Sequence, residues 1–167
     1  MKVVIVSGVP GTGKTTVSKK LAKKLNFSYL DVNETIKKYK LSRGYDKKRK
    51  TNIVDVKKLN MALIKEINNF KNTIKKNSKN GIIIDSHLSH YLPKKYVNLC
   101  IITKCGLKEL ERRLKKKNYS KQKIRENLDA EIFDICLNEA KESRHKVIVI
   151  NTTKDININA VSRKLAV

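Results

Sequence analysis

Acidic residues are scarce in this sequence. Fifteen Asp and Glu stand against 39 Lys and Arg, a formal net charge of +24 over 167 residues. That shortage excludes the balanced ion-pair networks of lysine-rich thermophile surfaces, because most cations here have no anion to meet. Two readings of the excess stand side by side. One is attraction to polyanions. The other is a coding bias towards AT-rich codons, which the 16 Asn and the many Ile and Lys would equally reflect. The basic clusters are Lys47–Lys50, Lys75-Lys76, Lys115–Lys117 and Lys121–Arg125. Aromatics are few, 5% with no Trp, so stacking on bases finds little support. Cysteine is limited to Cys100, Cys105 and Cys136, an odd number without C-x-x-C spacing. That pattern fits small buried side chains in a reducing cytosol. His87, His90 and His145 are not spaced to complete a zinc site with them. Long apolar runs are missing too. The longest, Val3–Val6 and Ile82–Ile84, fall far short of the roughly 20 residues of a membrane span. The stretch from Met1 to Val6 is too short for a signal peptide, so a cytoplasmic chain is expected, neither secreted nor inserted in a membrane. With no repeat, Pro-rich linker or low-complexity tail, the length predicts a single domain.

What is present alternates between short apolar runs and helical periodicity. Val3–Val6, Phe27–Val32, Gly81–Asp85, Val97–Thr103 and Lys146–Asn151 read as strands. Helices are expected over Thr15–Leu25, 33–40, Asp55 to about Lys76, 106–116, about 121–143, and 155–165. In the third of these, Leu59, Leu63, Ile67, Phe70 and Ile74 recur at helical spacing behind an Asp55 N-cap. Residues 41–54, polar and basic, read as a loop. Strands alternating with helices predict a doubly wound α/β fold, with a five-stranded parallel sheet covered on both faces.

The strongest local signal is Gly8-Val9-Pro10-Gly11-Thr12-Gly13-Lys14-Thr15, followed by Thr16. It matches G-x-x-x-x-G-K-[ST] between a strand and an amphipathic helix. Gly8, Gly11 and Gly13 let backbone N–H groups turn towards phosphate oxygens. The helix start adds partial positive charge. Lys14 can reach the β- and γ-phosphates, and the Thr15 hydroxyl can ligate Mg²⁺. A second half of the site is expected at Ile82-Ile83-Ile84-Asp85, where the strand ends in a carboxylate at the carboxyl edge of the sheet. Asp85 would hold Mg²⁺, and His87 is a candidate for orienting a nucleophile or carrying a proton. His90 reads as structural. Asn151-Thr152-Thr153-Lys154-Asp155 lacks the N-K-x-D order of a Ras-like GTPase.

Taken together, these residues resemble the archaeal branch of the adenylate kinase isoenzyme 6 family. The resemblance runs to about Ser143. It rests on the Gly8–Thr16 loop, on Asp85-Ser86-His87 as the family's D-x-H, and on Gly44-Tyr45-Asp46. It rests further on Tyr119-Ser120, Lys123, Glu126-Asn127, Glu131-Ile132-Phe133, Glu139-Ala140 and Glu142-Ser143. It implies a monophosphate-binding insertion at residues 31–54 and a lid at residues 116–126. It also implies ATP and Mg²⁺ as cofactors, phosphoryl transfer between ATP and AMP, and a side ATPase activity. A role in small ribosomal subunit maturation follows from the same resemblance, with a platform ribosomal protein and pre-rRNA as partners. Arg113 matches a family arginine. Lys117 and Lys37 stand where the family carries arginine, and lysine lacks the planar bidentate fork. The competing class is an ATPase-driven assembly factor in which kinase activity is incidental.

Overall fold

The computed structural model describes residues 1–47 and 51–166. In chain order the elements are β1 (Lys2–Ser7), α1 (Lys14–Leu25), β2 (Ser28–Asp31), α2 (Val32–Lys38), β3 (Ser42–Asp46), β4 (Thr51–Val54) and α3 (Val56–Asn77). They continue with β5 (Gly81–Asp85), short 3-10 turns at Ser89–Tyr91 and Lys94–Tyr96, β6 (Leu99–Lys104), α4 (Leu107–Lys116), α5 (Lys121–Ile132), α6 (Ile135–Glu142), β7 (Val147–Asn151) and α7 (Ile158–Ala166). Five strands form one parallel sheet in the order β2-β5-β1-β6-β7.

The apolar runs are continuous because the central strands are buried on both sides. Val3, Ile5, Ile82, Ile84, Cys100 and Ile102 pack under Leu59, Leu63 and Ile67 of α3. Val4, Val6, Ile83 and Ile101 face the other way, onto Val17 and Leu21 of α1 and Leu165 of α7. A third cluster, Val9, Cys105, Leu110, Leu114 and Ile124, lies beneath the glycine loop. The Asp55 side chain accepts from the amides of Lys57 and Lys58, as an N-cap should. Cys100 and Cys105 are buried and unpaired, Cys136 is partly buried and unpaired, and no metal-binding group of three His, Cys, Asp or Glu occurs among the described residues. No described helix is long and apolar enough to cross a membrane.

Two expectations need correction. The span expected as a loop at 41–54 holds an antiparallel hairpin, β3 with β4, with Tyr45 opposite Asn52 and Asp46 opposite Thr51. Its apolar residues, Tyr45, Ile53 and Val54, do not alternate with polar ones, so there was no strand period to read. Lys48, Arg49 and Lys50 of the first basic cluster lie outside the described residues, as do the side chains of Ile74, Lys75 and Lys76. The single helix expected over 121–143 is two helices, broken after Ile132. Asp134 takes a left-handed conformation there, φ 54°, and pairs with Lys104, whose ammonium also donates to the Glu131 carbonyl at 3.0 Å. No glycine or proline marks the break, so helical periodicity runs straight through it.

Candidate functional site

The glycine loop joins β1 to α1 and is fastened from below. The Thr12 hydroxyl donates to the Val9 carbonyl at 2.7 Å and lies 2.7 Å from the Thr103 hydroxyl, while the Thr12 carbonyl accepts from Thr152 Oγ1 at 2.7 Å. Gly8 has φ 139°, and a Cβ there would stand 2.5 Å from the Thr103 carbonyl oxygen, so only glycine fits this turn. Gly11 has φ 91° and would press a Cβ to 2.9 Å from Leu110. Gly13, also left-handed, is the N-cap of α1, and no side chain caps that helix start. The first-turn amides therefore remain available to an anion.

Lys14 opens α1 and folds back over the loop, its ammonium donating to the carbonyls of Gly8 at 2.9 Å and Val9 at 3.1 Å. Burial pulls its pKa down from the ordinary value to about 8, partly offset by the Asp85 carboxylate. A desolvated cation with only carbonyl partners is a group arranged for a stronger anion. That chemistry, together with the uncapped helix start, suits a phosphate anion.

Across from the loop, β5 delivers Asp85 to the carboxyl edge of the sheet. Its carboxylate is 4% exposed and accepts a hydrogen bond from the Tyr29 hydroxyl of β2 at 2.9 Å. Thr15, exposed to the same cleft, and Asp85 are the oxygen donors that suit a hard divalent cation. His87 lies in the cleft wall. The surrounding protein, and next the Lys14 charge, lower its pKa to about 4, so the ring is neutral. His90 does not face the cleft. It is buried, with Nδ1 2.7 Å from the Ser7 hydroxyl and Nε2 2.9 Å from Glu139. With the ring neutral, Ser7 donates to Nδ1 and Nε2–H donates to Glu139. His90 thus ties the root of the glycine loop to α6, in keeping with a structural part.

The cleft between these elements measures about 1270 Å³. Residues 4–134 match the AAA domain family. A protein of Methanocaldococcus jannaschii named "Putative adenylate kinase" is 37% identical over 150 residues, covering 90% of this chain and 76% of that protein. Adenylate kinase isoenzyme 6 homologs of Caenorhabditis elegans and Dictyostelium discoideum are each 30% identical; the latter alignment covers 93% of this chain and 85% of that protein. The chain belongs to the adenylate kinase isoenzyme 6 family. At the level of fold it also resembles a solved deoxyadenosine kinase of M. mycoides, with TM-score 0.59, 16% identity and full coverage of both chains.

The isoenzyme 6 resemblance pointed to further cations, and their places differ. Arg113, on α4, is half-buried. It donates to Glu109 at 2.7 Å and to the Thr152 carbonyl at 2.8 Å, and its Nη1 lies 3.5 Å from the Gly11 carbonyl. It therefore braces the loop and lines the cleft at once. Lys117, at the C-cap of α4, is exposed and lines the cleft. Thr16 lines it as well, whereas Gly8 lies buried behind the loop. Lys37 is exposed on α2 and does not line the cleft.

Sequence reasoning gave no individual site role to four contributors. Tyr29 carried no motif. Lys123 lines the cleft, with its ammonium 4.3 Å from the Tyr119 ring centre. Thr152 and Thr153 follow β7, Thr152 binding the loop and the Thr153 hydroxyl accepting from the Gly106 amide at 2.8 Å. A signal for that last pair existed: ligands in open α/β sheets sit at the carboxyl ends of strands.

Proposed function

We propose that this chain is a nucleoside-monophosphate kinase that transfers the γ-phosphoryl group of ATP to AMP. One observation carries the reading. The cleft of about 1270 Å³ has the glycine loop and Lys14 on one wall and Asp85 and His87 on the other. Sites for a single small ligand run to roughly 1,000 Å³, so donor and acceptor can lie together. Family membership and the relatives' names support the same conclusion.

The chemistry requires positioning and charge neutralisation, not a covalent intermediate. The loop amides and Lys14 would cradle the β- and γ-phosphates of ATP. Asp85 and Thr15 would hold Mg²⁺, which supplies charge neutralisation at the phosphate oxygens. Arg113 and Lys117 would meet negative charge as it builds up on the transferring group. His87, neutral, would orient the acceptor or a water. Residues 31–54, with α2 and the hairpin, would receive the monophosphate. Residues 116–126 would close as a lid and exclude water, favouring transfer over hydrolysis. ATPase activity would be the leak when no acceptor is present.

The test is a coupled assay on the full chain with ATP-Mg²⁺, with and without AMP. The expected result is AMP-dependent formation of two ADP per ATP consumed. Lys14→Ala should lower transfer and hydrolysis alike, by about 10²–10³-fold or more. A variant that turns over ATP normally would remove the loop from the active site.

The net charge of +24 favours a second reading, in which ATP binding and hydrolysis drive a switch on a polyanionic particle. By the family resemblance that particle would be the maturing small ribosomal subunit, met in the cytoplasm through a platform ribosomal protein and pre-rRNA. Phosphate release that ignores AMP and rises with such a partner would favour it.

A further inference from the structure

The edge strand β2 carries a tyrosine aimed at the charged end of its neighbour. Tyr29 pairs in register with Ile83, and Asp31 with Asp85. The Tyr29 ring packs on the α1 side of the sheet, partly buried against the cluster around Val17 and Leu21. Its hydroxyl reaches forward to Asp85 Oδ2 at 2.9 Å. Thr15 stands beside the same phenol, and the Lys19 ammonium lies 5.5 Å from the ring centre. Burial, and then the Asp85 charge, raise the phenol's pKa above its ordinary value, so it remains a donor.

An aspartate carboxylate rotates in a broad, shallow well about its last torsion. Asp85 is nearly fully buried, and its Oδ1 accepts no hydrogen bond from the described residues. The phenol is therefore what fixes the rotation of the group, through a bond strengthened by the carboxylate charge. Partners of this kind commonly set metal affinity without touching the metal.

We propose that Tyr29 is a positioning residue of the metal-phosphate site, its hydroxyl orienting Asp85 so that Asp85 and Thr15 grip a divalent cation together with the bound triphosphate. The proposal rests on the phosphoryl-transfer reading above and adds to it a determinant of divalent-ion affinity. A merely structural tyrosine would support β2 and α1 packing and leave ion dependence untouched.

The experiment compares the wild-type chain with Tyr29→Phe, which removes one oxygen and keeps the ring. ATP binding is titrated calorimetrically in EDTA and across a Mg²⁺ series. Mn²⁺ held in the nucleotide complex is counted by electron paramagnetic resonance, a readout independent of turnover. Melting curves confirm that each variant is folded at the assay temperature. In EDTA, ATP affinity should stay within about twofold of wild type, while the half-saturating Mg²⁺ and Mn²⁺ concentrations rise about 10-fold or more. At saturating Mg²⁺ the turnover number should return close to that of wild type. In an Asp85→Asn background, adding Tyr29→Phe should shift the ion dependence no further. An unchanged ion midpoint in Tyr29→Phe, or an additive shift in the double variant, would overturn the proposal. A wild-type chain whose ATP affinity ignores Mg²⁺ would instead overturn the phosphoryl-transfer reading itself.

Discussion

Lys14 is held in a state that burdens folding and, on the proposed function, serves catalysis. Its ammonium is desolvated among carbonyls and its pKa falls to about 8. A cation whose folded pKa is depressed destabilises the fold at neutral pH, since the unfolded chain binds the proton more tightly. We therefore expect Lys14→Met to abolish phosphotransfer while raising the stability of the nucleotide-free protein by about 1–3 kcal/mol. Paired thermal melts would check it, and a lower melting temperature for Lys14→Met would contradict it. At this scale the sequence was legible wherever spacing encodes chemistry. Gly8, Gly11, Gly13, Lys14, Thr15 and Asp85 all lie where their motifs predict. Tyr29 and Glu109 were not legible, because each acts on another side chain, Asp85 or Arg113, through a contact that only the fold creates.

Helix ends show how few glycines the chain has to spare. Of six, three are used in the glycine loop between β1 and α1. Elsewhere the left-handed residue that closes a helix is not glycine. It is Asn26 after α1, Lys40 after α2, Ser78 after α3, Asn118 after α4 and Arg144 after α6. Around Arg144 the closure is complete: the His145 amide donates to the Ala140 carbonyl at 3.1 Å and the Arg144 amide to Lys141 at 2.8 Å. A side chain in this conformation costs roughly 1 kcal/mol or more. Arg144→Gly should therefore raise stability by about 0.5–1 kcal/mol, the gain being reduced by the freer unfolded chain. Urea denaturation with an unchanged slope would measure it, and a lower midpoint would refute it. Element boundaries were hard to read for the same reason. A chain that ends helices on Lys, Asn and Arg does not mark its breaks, and the α5–α6 junction was missed.

At the scale of the whole molecule, the fold class was the most legible feature. Five short apolar runs separated by helical periodicity admit few arrangements, and a parallel doubly wound sheet is one of them. The hairpin escaped because its few apolar residues, Tyr45, Ile53 and Val54, do not alternate with polar ones, and only Val54 packs on the core. The charge of +24 acts on the compact state as self-repulsion, which salt screens. Raising NaCl from 0.05 to 0.5 M should therefore raise the melting temperature, where a chain rich in exposed ion pairs would lose stability. His87, in the cleft wall, and His90, in the interior, both have pKa values below the ordinary value, mainly because the surrounding protein desolvates the charged ring. Their neutral forms belong to the fold. For His87 the contribution is thus fully present above the unfolded histidine pKa of about 6.5 and is lost as pH falls from there towards about 4; the His90 contribution has the same sign. Melting temperatures across pH 4–8 should fall on the acid side, and His87→Asn should flatten part of that slope.

On the proposed function, the crowded ammonium at the start of α1 would also make the protein a proton acceptor when a triphosphate binds. Near pH 8 about half of these groups are uncharged in the nucleotide-free protein, and a triphosphate would restore the full charge. Nucleotide uptake should then draw about half a proton per molecule from solution at pH 8, and almost none at pH 6. Calorimetric heats of ATP binding, compared between phosphate and Tris buffers, would differ at pH 8 by that fraction of the buffers' ionisation heats. In this way the glycine loop would couple ligand loading to the acidity of its surroundings.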